Sequence, residues 1–417
     1  MYFKFKPEVV FTKGKDGSIL SNLMTGRKIY LDSADTRRAE LLYNNDRPGR
    51  VLPDAGNLTA YLAEQGFGQF HERNIHVEKI KTSRIATLKY DKLIPFKLNR
   101  LVLEVTGSCN LNCLFCTEEN IVYQSCGCKK WENSNELTER QWKNIISQAM
   151  KLGIQECFLT GGEPLLRWDL VKELVSYLHD HHIAVTLFTN GTLLNASQAK
   201  FLKEKKVSLA LQIFGEDNQR YEMITQCTNM YCSVENAIQW IDYYQIPHTV
   251  SIIVSSLNES AVEAIKSKLG ERSYQTIYIY PANPYSSSAK RQEMLNPLLR
   301  EIPVHLDAVP YLMRYNNCLY GQIFVSGSGE VYPCMMLRSR KLGSLDKERL
   351  WEIFARKEHK PYWEMSKTKI NHCSQCERNL FCFDCRALDF YGSSELDGMV
   401  YCNRINHHLN EAIADEE

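Results

Sequence analysis

From Arg100 onward, short apolar runs alternate with stretches of helical periodicity. Leu101–Val105 reads as a strand. Thr138 opens a helix, with Gln141 placed for a capping box and Trp142, Ile145, Ile146 and Ala149 on one apolar face. Glu156–Thr160 predicts the next strand, followed by a helix from Asp169 to about His181. Further strands are expected at Ala184–Thr189, Leu209–Phe214, His248–Val254 and Thr276–Tyr280. Ser233–Tyr244 and Ser260–Lys268 carry helical patterns between them. Six βα units imply an α/β fold whose parallel sheet curls into a full or partial barrel. Functional loops then belong at the C-terminal ends of the strands.

Residues 1–95 follow another rhythm and predict a small separate unit. Val9–Thr12 and Ser18–Leu23 flank Lys13-Gly14-Lys15-Asp16-Gly17, a hairpin signal, and Lys28–Leu31 suits a third strand. Ala34–Tyr43 and Leu58–Gln65 read as short helices and His71–Lys79 as a strand, a winged-helix-like order. The barrel is expected over residues 96–285. Residues 286–317, with their prolines and Ser286-Ser287-Ser288, read as a linker, and residues 318–417 as a cysteine-rich domain.

Charge changes this picture little. Lys+Arg total 50 against 49 Asp+Glu in 417 residues, so no overall field draws the chain to nucleic acid or membrane. The start, Met1-Tyr2-Phe3-Lys4-Phe5-Lys6, holds no apolar run, and no stretch of about 18 apolar residues occurs. A cytoplasmic protein with no nucleic-acid or membrane partner is expected. Cysteine changes it more. There are 15, an odd number, and they cluster, which favours metal or iron–sulfur ligation over a disulfide framework.

Cys109, Cys113 and Cys116 stand in a C-x3-C-x2-C run directly after the first barrel strand. Three thiolates can hold three irons of a four-iron cluster and leave the fourth open, whereas four cysteines would close it. Buried core cysteines or a zinc knuckle are the plainer readings of the run alone. Gly161-Gly162-Glu163-Pro164 follows the next strand: the glycines permit close backbone approach, and a carboxylate suits an ammonium. Thr189-Asn190-Gly191 closes the third strand and on its own is a turn signal.

Together these motifs resemble the radical S-adenosylmethionine (SAM) superfamily, whose hallmark is C-x3-C-x-aromatic-C after the first strand of a partial (βα)6 TIM-like barrel. The resemblance implies a 4Fe-4S cluster on Cys109, Cys113 and Cys116 that binds SAM through its open iron. It implies reductive cleavage of SAM to a 5′-deoxyadenosyl radical, with a flavodoxin- or ferredoxin-type reductant. It assigns Gly161, Gly162, Glu163 and Pro164 to the SAM amine and Asn190 to the adenosine side. At the fourth strand Gln212-Ile213-Phe214-Gly215 stands where relatives read Ser-x-Asp-Gly, so Gln212 becomes the candidate polar contact. Thr225 occupies the place of the family's carboxylate-binding arginine, and Arg220 is the candidate substitute.

The C-terminal pattern resembles the SPASM domain, an auxiliary-cluster extension of radical SAM enzymes. Cys318 precedes Gly329-x4-Cys334, then come Cys373-x2-Cys376-x5-Cys382-x2-Cys385, and last Cys402, with the Cys382 to Cys385 spacing one residue short of the usual form. A pair of zinc sites is the plainer reading. The resemblance implies two auxiliary 4Fe-4S clusters, three clusters in all. One is held by Cys373, Cys376, Cys382 and Cys402, the other by Cys318, Cys334 and Cys385 with one iron open. Cys126 or Cys128 is the competing fourth ligand. Cys157 is expected in the core, and Cys227 and Cys232 as incidental.

Two subfamilies compete. Anaerobic sulfatase maturases carry an aspartate directly after the Tyr-Pro-Cys cysteine; here Cys334 is followed by Met335. Maturases of ribosomal peptides (RiPPs) often begin with a small sheet that recognises the leader peptide by strand addition, and residues 1–95 resemble that element. The expectation is therefore a radical SAM oxidoreductase acting on a precursor peptide with a leader sequence. Thioether formation is the favoured outcome, with carbon–carbon crosslinking, epimerisation and backbone excision open. Tetrapyrrole modification, or a non-enzymatic metal-binding protein, are the alternatives.

Overall fold

The computed structural model describes residues 2–15, 17–44, 56–79, 97–116, 121–123, 127, 129–131, 135–255, 257–281, 304–399 and 402. Cys126, Cys128 and the His407-His408 pair lie outside them. The chain divides into two compact units: residues 1–95, 298–320 and 363–384 in one, and 96–297, 321–362 and 385–417 in the other.

The larger unit is built on one sheet. Its strands β6 (Arg100–Thr106), β8 (Glu156–Gly161), β9 (Ala184–Thr189), β10 (Ser208–Ile213), β11 (His248–Val254) and β12 (Tyr274–Pro281) run parallel and lie side by side in chain order. Sequential parallel neighbours joined by helices are what the alternating pattern predicts. β7 (Ile121–Tyr123) borders β12 antiparallel at one edge. At the other, β13 (Gln322–Val325) pairs parallel with β6 and is extended by β14 (Glu330–Tyr332) and β15 (Gly343–Ser344). The sheet therefore has two ends, as a partial barrel does.

Its strands and helices follow the apolar pattern closely. The helix Glu139–Lys151 starts on a capping box between Thr138 and Gln141, and buries Trp142, Ile145, Ile146 and Ala149. Helices Ala196–Glu204 and Asn218–Thr225, which the pattern did not predict, are also capped, by Asn195 and Asp217. Cys157 is fully buried in β8, as expected of a core residue.

The smaller unit holds β1 (Tyr2–Phe5), paired antiparallel with β5 (Gly68–His71), and a meander of β2 (Val9–Lys13), β3 (Ser18–Asn22) and β4 (Lys28–Leu31). The strand expected at His71–Lys79 is displaced: the extended segment is Gly68–His71, and residues 74–79 pair with nothing in a sheet. At Gly68, paired opposite Phe5 in β1, a Cβ would stand 2.2 Å from the Phe3 ring and 2.7 Å from Lys4 O. Only glycine lets the two backbones close on each other at that position.

The meander is buried on both faces. Val9 and Leu20 join a core with Phe3, Phe5, Ala39, Leu62 and Phe67, while Val10 and Ile19 pack with Val304, Val309, Leu312, Leu380 and Phe381. Successive strand residues point to opposite faces, so the consecutive apolar pairs Val9-Val10 and Ile19-Leu20 require a cover on each side. The second cover comes from a helix at Val309–Arg314 and from the cysteine-rich segment. Residues from 304 onward, within the stretch expected as a linker, thus contribute core side chains.

Candidate active site

β6 ends at Thr106, and the following loop carries Cys109, Cys113 and Cys116. A tight turn brings the Cys116 amide to the Cys113 carbonyl at 2.9 Å. Amides also point at the sulfurs: Leu111 N–H donates to Cys109 Sγ at 3.4 Å and Lys130 N–H to Cys116 Sγ at 3.0 Å. Asn190 Nδ2 stands 3.8 Å from Cys109 Sγ. Burial pushes the Cys109 thiol up to about 12, and raises Cys113 and Cys116 as well. Burial is the main cause for Cys113, and the charges of Cys116 and Cys109 add to it, so the three sulfurs lie near one another. Such a group is a poor home for three free thiolates and a good one for thiolates neutralised by a metal, which must displace their protons.

The β8 turn lies directly on this loop. Gly162 N–H donates to Thr106 O at 2.8 Å and Glu163 N–H to Ser108 O at 2.7 Å. A Cβ on Gly161 would sit 2.2 Å from Thr106 O, and one on Gly162 2.0 Å from Ser108 O. The paired glycines are therefore required by the approach of this turn to the cysteine loop, a tighter constraint than the sequence reading supplied. Pro164 then opens the short helix Pro164–Arg167.

The Glu163 carboxylate is fully buried. Its Oε1 accepts from Leu165 N–H at 2.9 Å and Thr189 Oγ1 at 2.8 Å, and its Oε2 accepts from Asn190 N–H at 2.8 Å. Desolvation pushes its pKa up to about 7, against the lowering effect of those three donors. Glu163 thus ties the end of β8 to the end of β9. Asn190 continues the chain of contacts: Nδ2 donates to Asn110 Oδ1 at 3.0 Å, and Oδ1 accepts from Thr192 N–H at 3.0 Å. The cysteine loop, the Gly-Gly-Glu-Pro turn and the Thr-Asn-Gly turn are therefore joined through named hydrogen bonds.

Three further segments touch this assembly. Residues 129–131 return over it, with Lys129 N–H on Gly161 O at 2.9 Å and Trp131 N–H on Gly107 O at 3.0 Å. The Lys129 ammonium is buried and lies 4.7 Å from the Trp131 ring centroid. Desolvation lowers its pKa, and the nearby Cys116 sulfur opposes that shift. Arg338 stacks on the same Trp131 ring, 3.8 Å from its centroid, and pairs with the fully buried Glu104 of β6. Finally, Ile224 and Thr225 carbonyls accept from Leu114 and Asn112 N–H, both at 3.0 Å.

Of the expected site residues, Gln212 is buried near the end of β10. Arg220 is not brought to the cysteine loop: its Nη1 donates to Leu257 O at 2.7 Å, and its Nε pairs with Glu216 at 3.5 Å. Cys227, expected as incidental, comes close to this loop. It follows the helix that supports the loop, its Sγ lies 3.7 Å from Asn110 O, and its charge bears on Cys113. Only tertiary structure brings it there, so no spacing signal could have found it.

The C-terminal cysteines are described within their own units. In the larger, Cys334 is buried after β14 and receives Met336 N–H at 3.5 Å, with Tyr391 close enough for burial and the Cys334 charge to raise its pKa. Cys385 precedes the helix Arg386–Ser393. In the smaller, Cys373 and Cys376 share one turn, Cys376 N–H meeting Cys373 O at 3.1 Å, and Arg378 N–H donates to Cys376 Sγ at 3.4 Å. Cys318 and Cys382 of the smaller unit and Cys402 of the larger are half-buried, and all described cysteines are free of disulfides. Among the described residues, no helix is long and apolar enough to cross a membrane.

Comparison with known proteins places this geometry. Residues 103–267 match the radical SAM superfamily model, and residues 317–377 match the SPASM iron–sulfur cluster-binding domain. A cysteine-type anaerobic sulfatase-maturating enzyme from Clostridium novyi is 21% identical over 67% of this chain and 84% of its own length. An AdoMet-dependent heme synthase from Methanosarcina barkeri is 24% identical over 72% of this chain and 94% of its own. Among solved structures, native anSMEcpe with bound AdoMet aligns at a TM-score of 0.56 and 18% identity, covering 76% of this chain and 97% of that one.

Proposed function

The chain belongs to the radical SAM superfamily and carries a SPASM domain, and on that premise we propose that it is a radical SAM peptide maturase. The observation that carries the first part is the joined triad: Cys109, Cys113 and Cys116 lie close together on one loop that is hydrogen-bonded to the Gly-Gly-Glu-Pro and Thr-Asn-Gly turns. That donor set fits a four-iron cluster with an open position.

When bound, the cluster and SAM supply one-electron cleavage to a 5′-deoxyadenosyl radical that abstracts hydrogen. The chain's own residues do the rest. Leu111 and Lys130 amides stabilise ligand sulfurs. Glu163, buried and holding Thr189 and Asn190, fixes the turn on which the SAM amine is met, so the backbone of Gly161, Gly162 and Pro164 is the contact surface and Glu163 its brace. Asn190 and Gln212 complete the polar lining. Lys129, buried beside Cys116, is a better-placed cation for the SAM carboxylate than Arg220, whose guanidinium is engaged at Glu216 and Leu257.

The substrate proposed is a leader-bearing precursor peptide, supported by the N-terminal meander and by the relative named as a sulfatase-maturating enzyme. One solved relative, native anSMEcpe, is described with a bound peptide. Two auxiliary clusters are proposed, on Cys373, Cys376, Cys382 and Cys402 and on Cys318, Cys334 and Cys385. An open iron on the second of these suits a substrate thiolate, and thioether formation is the favoured product. A flavodoxin- or ferredoxin-type donor and a cytoplasmic setting complete the reading. The heme-synthase similarity keeps tetrapyrrole modification as a second reading.

The test is anaerobic reaction of the reconstituted protein with SAM, a reductant and small cysteine-bearing precursors, read by mass spectrometry. A peptide lighter by two hydrogens, together with 5′-deoxyadenosine, is expected. Turnover of a tetrapyrrole with none of any peptide overturns the substrate assignment, and absence of 5′-deoxyadenosine overturns the enzyme assignment.

A further inference from the structure

The smaller unit contains a buried polar network that the proposed chemistry does not use. Asn316 and Asp384 are each 1% exposed, and Lys367 is 6% exposed. Lys367 Nζ lies 3.2 Å from Asp384 Oδ1, and Asn316 Nδ2 donates to Asp384 Oδ2 at 2.7 Å. Asn316 Oδ1 accepts the amides of Cys318 at 2.9 Å and Leu319 at 2.8 Å, while its Nδ2 also reaches Met365 O at 3.1 Å. Asn317 works in parallel: Nδ2 donates to Cys382 O at 2.9 Å, and Oδ1 accepts Asp384 N–H at 3.1 Å. Asn317 directly precedes Cys318 and Asn316 stands just before it, and both bond to the segment from Cys382 to Asp384.

A buried ion pair is an inefficient source of stability, since apolar packing of the same volume serves as well or better. What such a pair supplies is a fixed geometry, provided its remaining donors and acceptors are satisfied. Here they are satisfied by the backbone of two cysteine-bearing loops. On the reading above, Cys318 and Cys382 ligate different auxiliary clusters, and the following inference rests on that reading. We propose that Asp384 is a positioning residue which, with Lys367, Asn316 and Asn317, sets the Cys318 and Cys382 loops in one register, so that the two auxiliary clusters assemble together or not at all.

The experiment measures iron, sulfide and the EPR spectrum of anaerobically reconstituted full-length protein. The parent chain should hold about twelve irons, three four-iron clusters. Asp384→Asn puts an amide opposite Lys367, and should leave about four irons, with the signal of the Cys109, Cys113 and Cys116 cluster intact. A double variant, Lys367→Met with Asp384→Leu, keeps the site packed but removes the bridge, and should resist heat like the parent while lacking both auxiliary clusters. Thr368→Val is the control: it loses a hydrogen bond to Met313 O in the same unit, 2.9 Å long, that touches neither cysteine loop, and should keep all its iron. About twelve irons in both Asp384 variants, about eight in either, or loss of iron from Thr368→Val as well, overturns the proposal. About four irons in the parent chain overturns the auxiliary-cluster reading instead, and the proposal with it.

Discussion

Replacing Glu163 with glutamine tests how the site is held. The carboxylate is fully buried, accepts from Leu165, Thr189 and Asn190, and has a pKa pushed up from 4.5 to about 7 by desolvation. Because the folded value lies above the unfolded one, the folded chain binds more protons in the window between them. The stabilisation linked to protonation is complete below about 4.5 and lost as pH rises through about 7. Each unit corresponds to 1.36 kcal/mol, so the whole window amounts to about 3 kcal/mol. Glutamine does not titrate. The assay is urea unfolding of the metal-free parent and Glu163→Gln proteins across this range, comparing the two at each pH. The parent's advantage over the variant should shrink by about 3 kcal/mol on passing from acid to neutral pH. A difference that stays level, or grows with pH, refutes the claim that burial dominates over the three donors.

Gly162→Ala places a Cβ 2.0 Å from Ser108 O, so the cysteine loop must move; about four irons should be lost, read by iron analysis. Cys227→Ser should retain the SAM-binding cluster by EPR, because Cys109, Cys113 and Cys116 complete the ligand set, whereas serine at any of those three should abolish 5′-deoxyadenosine formation. Arg338→Ala strands the buried Glu104 carboxylate and should cost about 3–5 kcal/mol in urea unfolding. Mössbauer spectra should show one non-cysteinyl iron on an auxiliary cluster; a complete cysteinyl set on both would remove the open thiolate site.

The barrel was legible because its signals are local. Thr138 and Gln141 mark a helix start whatever lies around them, and β9 and β11 are short apolar runs bounded by turns, which is how buried parallel strands read. Helix Ala196–Glu204 left a similar mark in the Asn195 and Gln198 capping box, and that mark was overlooked. Other features were not legible at all. β13 to β15 are two to four residues long and depend on a chain of pairings that starts at β6. The support given to the cysteine loop by Ile224, Thr225, Lys129 and Trp131 comes from distant segments, and the brace role of Glu163 depends on hydrogen bonds that no motif encodes.

The double-faced meander changes how substrate recognition can be tested. A deletion of residues 1–95 looks like the clean way to remove a leader-binding element while sparing the chemistry. The structure argues otherwise. Val10 and Ile19 are buried against Leu380 and Phe381, on either side of which stand Cys376 and Cys382. A Cβ on Gly14 would lie 2.8 Å from the Glu377 backbone nitrogen, beside Cys376. Arg378 stacks on Tyr30, and Lys28 on Phe381, at 4.7 and 4.5 Å. Removing the meander uncovers one whole apolar face of the cysteine segment, so the truncated chain should lose auxiliary-cluster iron as well as leader binding. Leader binding is better probed where the β2–β4 unit exposes a side chain to solvent. Met24, 65% exposed, is such a position. Met24→Glu should weaken capture of a labelled leader peptide and leave the iron content unchanged, whereas unaltered capture would move the docking site elsewhere on the unit.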